Sequence, residues 1–301
     1  MSLVIRSLHI YPVKSCAGID LAESAVDERG LAHDRRWMVV DEEGMFLTQR
    51  TLPAMALIRP ALRDGGLRLD APGMLPLDVP ADLPAGRAGR GESGRGESGH
   101  AQRPVRVWRD DVPADDAGDE AAAWLSAFLQ RPCRLVRMAG RARRLAGPDR
   151  VAAWRLQFGA MAPGLAGEHA FGFADGYPFL ITAQASLDDL NARLAAAGEA
   201  PVPMNRFRPN IVLDGLEAYD EDHLAMLACG GARFALVKPC TRCAVPDVDQ
   251  LTARRGEAVG RTLAAYRSRE AGVVFGQNAV VQAGPGAVLR VGDEVRADWA
   301  F

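Results

Sequence analysis

Phe234-Ala235-Leu236-Val237-Lys238-Pro239-Cys240-Thr241-Arg242-Cys243 runs from an apolar stretch straight into a pair of thiols. The apolar part reads as a buried strand, and strand ends are where folds present chemistry. Arg242 stands between the thiols, and a cationic neighbour favours the thiolate form of a cysteine. Ala244-Val245-Pro246-Asp247-Val248-Asp249 follows, bringing two carboxylates and a proline that argues against a continuing helix.

Several readings of Cys240-x-x-Cys243 are open. A structural zinc site needs a second close Cys/His pair, but Cys16, Cys133 and Cys229 are isolated and the five histidines are scattered. Disulfide exchange of the thioredoxin kind places its first cysteine at a helix start, which the strand-like context does not offer. A single soft thiolate for a thiol-loving metal centre is a third reading, and a buried, inert pair is a fourth.

Working outward, the first third of the chain reads as β. Leu3–Tyr11 alternates and ends at Pro12. Arg36–Val40 and Met45–Thr48 flank Asp41-Glu42-Glu43-Gly44, and Ala56–Leu62 and Leu67–Leu69 flank Asp64-Gly65-Gly66, two hairpin signatures. Short strands at this spacing point to a barrel or sandwich. Residues 81–103 hold a repeat, Gly89-Arg90-Gly91-Glu92-Ser93 then Gly94-Arg95-Gly96-Glu97-Ser98. Such a segment cannot bury a core and is expected as a flexible surface insert. Its balanced charge and lack of aromatics argue against RNA binding.

Beyond it, Val105–Trp108 resumes the strand pattern, Asp119 caps a helix from Glu120 to Gln130, and Arg134–Val136 is a strand. The arginine-rich stretch 137–155 is expected as a solvated linker or a wall of an anion site. Phe179–Thr182 is a strand, Ser186 caps the next helix, and Phe207–Leu213 is another strand. Asp220 to Ala228 is expected as a helix and Arg261–Arg267 as a short one, with Val273–Ala283 and Val288–Val295 closing the fold.

The 48% hydrophobic content and net charge of −2 describe a globular chain with no imbalance calling for nucleic acid or membrane. No signal peptide, long apolar span or dinucleotide fingerprint appears. Five cysteines without framework spacing favour reduced thiols, hence a cytoplasmic setting. Only Lys14 and Lys238 are lysine among 36 basic residues, and both stand in the frame Val-Lys-x-Cys. Polar groups at strand and helix ends (Lys14-Ser15, Asp34-Arg35-Arg36, Thr182, Ser186 and Asn205-Arg206-Phe207-Arg208-Pro209-Asn210) together suit a phosphorylated ligand.

These blocks resemble the MOSC family. Ile10-Tyr11-Pro12-Val13-Lys14-Ser15-Cys16-Ala17-Gly18 resembles the opening of its N-terminal β-barrel module, and Asp34-Arg35-Arg36-Trp37-Met38-Val39-Val40-Asp41 its second block. Phe179–Asn191, Phe207–Val212, the cysteine motif, Phe275-Gly276-Gln277-Asn278 and Val291–Val295 resemble MOSC core blocks. The resemblance spans the chain outside the insert. It implies a β-rich α+β fold, with an N-terminal β-barrel-like module over 1–135 and a MOSC β-barrel domain over 136–301. It also implies a molybdenum cofactor whose metal takes Cys243, with Asp249 near the reacting pocket. Lys14, Ser15, Arg35, Thr182, Ser186, Arg208 and Asn210 would bind the cofactor, and Cys240 would be a neighbour. The family's Thr-Thr-Val-Asp-Pro reads here as Pro246-Asp247-Val248-Asp249-Gln250, a changed pocket wall. The activity implied is reduction of small N-hydroxylated compounds. With no ferredoxin-type cysteine run in the chain, electrons would come from a separate ferredoxin, flavodoxin or reductase. A cofactor carrier or sulfur-handling protein is the alternative.

Overall fold

The computed structural model describes residues 2–63, 66–81, 83, 102–165 and 167–300. Its main sheet takes strands from both ends of the chain. In order across the sheet they are Ile19–Leu21, Val4–Ile10, Ile211–Asp214, Phe179–Ala183, Gly272–Ala283, Ala232–Thr241, Leu224–Cys229 and Arg296–Trp299. All neighbours are antiparallel except Phe179–Ala183 with Ile211–Asp214. The sheet curls until its ends approach. Ile5 N–H donates to Asp293 O at 3.0 Å and Val295 N–H to Leu3 O at 2.9 Å. Curling gives the sheet an interior, which Ile5, Leu8, Ile181, Phe234 and Leu289 fill. Phe179 and Phe234 meet there edge to face at 4.9 Å, a geometry the ring quadrupole favours.

The opening module holds two smaller sheets. One runs Trp37–Val40, Arg134–Met138, Asp110–Asp116, Gln102–Val107, and the other Arg59–Arg63, Gly66–Asp70, Leu77–Pro80. Both expected hairpins are present, although Asp64 and Gly65 lie outside the described residues, as does most of the insert. Helix α1 (Asp119–Leu129) covers this module with Leu125 and Leu129 inward. Asp119 is its first residue rather than its cap; the cap is Gly118. The expected boundary at 135/136 falls inside the strand Arg134–Met138, and Val4–Ile10 pairs with Ile211–Asp214 far along the chain.

Three local expectations are corrected. Part of the stretch 137–155 is helical: α2 (Pro148–Phe158) starts on a proline, which suits a first turn whose N–H has no partner anyway. Its Val151 and Trp154 are buried, and Trp154 Nε1 donates to Ala225 O at 2.8 Å. Residues 220–228 are not a helix; one 3₁₀ turn, Asp220–His223, leads into the strand Leu224–Cys229 because the apolar Leu224–Leu227 run is needed on the sheet. Helix α3 (Gln184–Ala196) starts two residues before Ser186, which therefore does not cap it. Helix α4 (Ala258–Tyr266) packs on α3. Among the described residues, no helix is long and apolar enough to cross a membrane.

Candidate functional site

The polar ends of these strands open into one cleft of about 250 Å³. The segment after Ile10 forms one wall. Lys14 N–H donates to Trp37 O at 2.8 Å, and Arg35 N–H donates to Tyr11 O at 3.0 Å, so the Lys14 and Arg35 segments run side by side. Asp34 ties them together, accepting from Tyr11 N–H at 2.8 Å and from Arg35 Nη1 at 2.6 Å. Gly172 lets the next strand in close: a Cβ there would stand 2.5 Å from Arg35 O.

Arg208 and Asn210 come from the segment that leads into the strand Ile211–Asp214. Asn210 is a cross-link, with Oδ1 accepting from Leu180 N–H and Arg35 Nη1, both at 3.1 Å, and Nδ2 donating to His9 O at 3.2 Å. Arg208 Nη1 donates to Cys16 O at 2.7 Å, and its guanidinium lies 4.2 Å from the Tyr11 ring centroid. Burial pushes Arg208 down to about 10, so it stays charged at neutral pH. Ser15, Arg35 and Arg208 hold φ of 64°, 47° and 58°. Each such left-handed non-glycine residue costs about 1–2 kcal/mol, and strain of this kind gathers at sites that must present a group in one pose.

The cysteine motif is the third wall. The strand Ala232–Thr241 ends there, Arg242 N–H is pinned to Val273 O at 2.8 Å, and a single 3₁₀ turn, Val245–Asp247, follows. Arg242 Nη1 donates to Cys240 Sγ at 3.0 Å and Nη2 to Phe207 O at 2.8 Å, while its buried Nε has no acceptor among the described residues. Cys243 is exposed on the cleft. Burial pushes Cys16 and Cys229 up to about 12 and raises Cys133, which makes those three poor nucleophiles and ligands.

The charged lining is Lys14, Arg35, Arg50, Arg208, Lys238 and Arg242 against one carboxylate, Asp175. Lys14 is buried and paired with Asp175 and Phe173 O; burial lowers its pKa while Asp175 opposes that. Arg35 has Asp34. The remaining four make no direct ion pair with a carboxylate among the described residues, although Asp175 is near enough to Arg50, and Asp34 to Arg208, to act through space. No group of three or more His, Cys, Asp or Glu converges on a metal position there, so a metal on Cys243 would take its other ligands from a bound cofactor. A thiolate facing a cationic cradle fits a metal carried by a phosphorylated organic group: the sulfur is a soft donor, and the guanidinia are phosphate forks.

Of the residues expected from sequence, Lys14, Ser15, Arg35, Arg208, Asn210 and Cys243 line this cleft. Thr182, Ser186 and Asp249 do not. Thr182 is fully buried, its hydroxyl 3.5 Å from Met204 Sδ. Ser186 donates to Glu221 Oε2 at 2.7 Å. Asp249 pairs with Arg206 at 2.7 Å and accepts from Thr252 N–H and Oγ1, holding its own loop. Sequence reasoning passed over Arg50, Asp175 and Trp108. Asp175-Gly176-Tyr177-Pro178 carries a turn signal, and Arg50 follows a strand end, but nothing local marks Trp108.

Two family descriptions match the chain: the MOSC N-terminal beta barrel domain over residues 2–132 and the MOSC domain over residues 168–296. The chain is 32% identical over 306 residues to mitochondrial amidoxime-reducing component 1 of Mus musculus, covering 97% of this chain and 81% of that protein. To mitochondrial amidoxime reducing component 2 of Rattus norvegicus it is 32% identical over 254 residues, 81% of this chain and 66% of that protein. It is 31% identical over 287 residues to molybdenum cofactor sulfurase of Homo sapiens, covering 91% of this chain but spanning only 29% of the sulfurase. With both modules matched in order, the chain belongs to the MOSC family, a MOSC N-terminal β-barrel module followed by a MOSC domain.

Proposed function

We propose that this protein is a molybdenum cofactor-dependent oxidoreductase that reduces the N–O bond of small N-hydroxylated compounds. The observation that carries the reading is the exposed Cys243 thiol on a cleft whose Arg50, Arg208, Lys238 and Arg242 make no direct ion pair with a carboxylate among the described residues. The names of the amidoxime-reducing and cofactor sulfurase relatives, at about 30% identity, agree with it.

In this reading Cys243 is the protein's metal ligand. Lys14, Ser15, Arg35, Arg208 and Asn210 hold the pterin and its phosphate, the strained backbones at three of them keeping their donors aimed inward. Bound there, the cofactor supplies two-electron chemistry at a metal, which no side chain of this chain can provide. Asn210 and Asp34 keep Arg35 in place, and Arg242 holds the Cys240 side chain beside the ligand. Breaking the N–O bond takes two electrons and two protons and releases water, and in this reading a separate ferredoxin, flavodoxin or reductase supplies the electrons.

The test is molybdenum analysis, pterin fluorescence and benzamidoxime reduction with an artificial electron donor, on protein made in a host that synthesises the cofactor. Near-stoichiometric molybdenum with turnover is expected. Loaded protein without turnover would favour a cofactor carrier, and protein without molybdenum or pterin would overturn both.

A further inference from the structure

The cleft holds its stacked cations at two depths. At the inner end, Arg35 and Arg208 lie 4.4 and 4.2 Å from the ring centroid of Tyr11, which is 2% exposed. At the outer end, Arg50 lies 4.4 Å from the ring centroid of Trp108, which is 43% exposed and sits at φ 59° on the turn after Gln102–Val107. That indole is fixed. Its Nε1 donates to Asp175 Oδ1 at 3.1 Å, Asp175 is held by Lys14, and Phe46 packs on the ring at 5.2 Å.

Arg50 is therefore oriented, and although Asp175 is near enough to act on it through space, the two make no direct ion pair. Its Nε reaches Thr48 Oγ1 at 3.4 Å, and its two terminal nitrogens have no acceptor among the described residues. A planar fork locked on an aromatic platform is a receptor for a carboxylate or a similar oxyanion. A phosphate monoester carries about two negative charges, which balances roughly half of the four unpartnered cations. Arg208 lies at the buried end where the phosphate is placed above, so the residual positive charge stays at the mouth with Arg50.

We infer that Arg50, held on Trp108, is a specificity residue that selects N-hydroxylated substrates bearing a carboxylate. The inference rests on the reductase reading and names its substrate class. Its test compares benzamidoxime with 4-carboxybenzamidoxime on cofactor-loaded wild type, Arg50→Gln and Arg50→Lys, by kcat/KM and by calorimetric binding, at low and raised salt. Wild type should favour the carboxylated compound about tenfold, the worth of one modest charge-assisted contact. Added salt should erode that preference. Arg50→Gln should bring the ratio towards one with molybdenum content retained, and Arg50→Lys should recover part of it.

Equal kcat/KM and equal binding for the two compounds in wild type would overturn the inference and leave the reductase reading standing. Arg50-dependent binding of the carboxylated compound without reduction of either would do the reverse. Loss of molybdenum in Arg50→Gln would assign Arg50 to the cofactor instead, and failure of wild type to bind either compound would also overturn the selection proposed.

Discussion

In the cleft, the guanidinia of Arg208 and Arg242 have only carbonyl, sulfur or ring contacts among the described residues, whereas around Glu221 the polar groups are matched to one another. Glu221 is fully buried, and its carboxylate accepts from Ser186 Oγ at 2.7 Å and Ala183 N–H at 3.3 Å. Ser186 Oγ in turn accepts from Tyr219 N–H at 2.8 Å, and Tyr219 Oη donates to Asp189 at 2.7 Å. Both clusters contain residue types that suit an anion site. Only the first leaves donors over, so only the first has something to offer a ligand; the second is a closed network that fixes α3 against the turn Asp220–His223.

The sharpest way to break this contrast is at the rim. Cys243→Ser should cut molybdenum content by more than about tenfold, since a hydroxyl is a poor substitute for a soft thiolate, whereas Cys240→Ser should keep much of it. Elemental analysis of both variants decides; full retention in both would remove the ligand assignment. Next in size, Arg208→Gln should lower cofactor content about tenfold. It should leave urea stability of the cofactor-free protein equal or slightly higher, because a half-buried cation without a counter-charge is removed.

At the closed cluster the effects are on stability. Burial raises Glu221 to about 7 from an ordinary 4.5, with Asp222 adding to the rise. The folded state thus holds a proton that the unfolded state has lost between those values, so stability should fall as pH rises from about 4.5 to 7, by on the order of 3 kcal/mol. Glu221→Gln should flatten that slope, and urea titrations across the range read it directly. The smallest expected effect is Ser186→Ala, which deletes a bridge between the buried Glu221 and the half-buried Tyr219 N–H and should cost about 1–3 kcal/mol at pH 5 with molybdenum content unchanged. A loss of molybdenum there would return Ser186 to the site.

Much of the cleft was legible in the chain because its residues sit beside strand ends, where a proline, a lysine or a pair of thiols stands out against alternating apolar neighbours. Lys14, Arg35, Arg208 and Cys243 all have that setting. What misled was chemistry without depth. Ser186 and Thr182 carry hydroxyls near an element boundary, but α3 starts earlier than the serine suggests and the strand Phe179–Ala183 is buried on every residue. The helix expected over Asp220–Ala228 is instead a turn and a strand, because a short apolar run has no period of its own to read. Arg50 and Trp108 stayed hidden because stacking between residues so far apart is a property of the folded hairpins alone.

The strand Val4–Ile10 has a consequence for how the protein is made. Its register partners are Val4 with Asp214 and Leu8 with Ile211. Ribosomes add roughly 5–20 residues per second, so this strand can pair early with the short Ile19–Leu21 but waits roughly 10–40 s for its long-range neighbour, with Ile5, Leu8 and Ile10 uncovered. During that interval its other side is an open apolar edge of the kind that invites association with other chains, and the opening module, which can collapse around Trp37 and Leu135 in the meantime, is the part of the molecule free to take shape first.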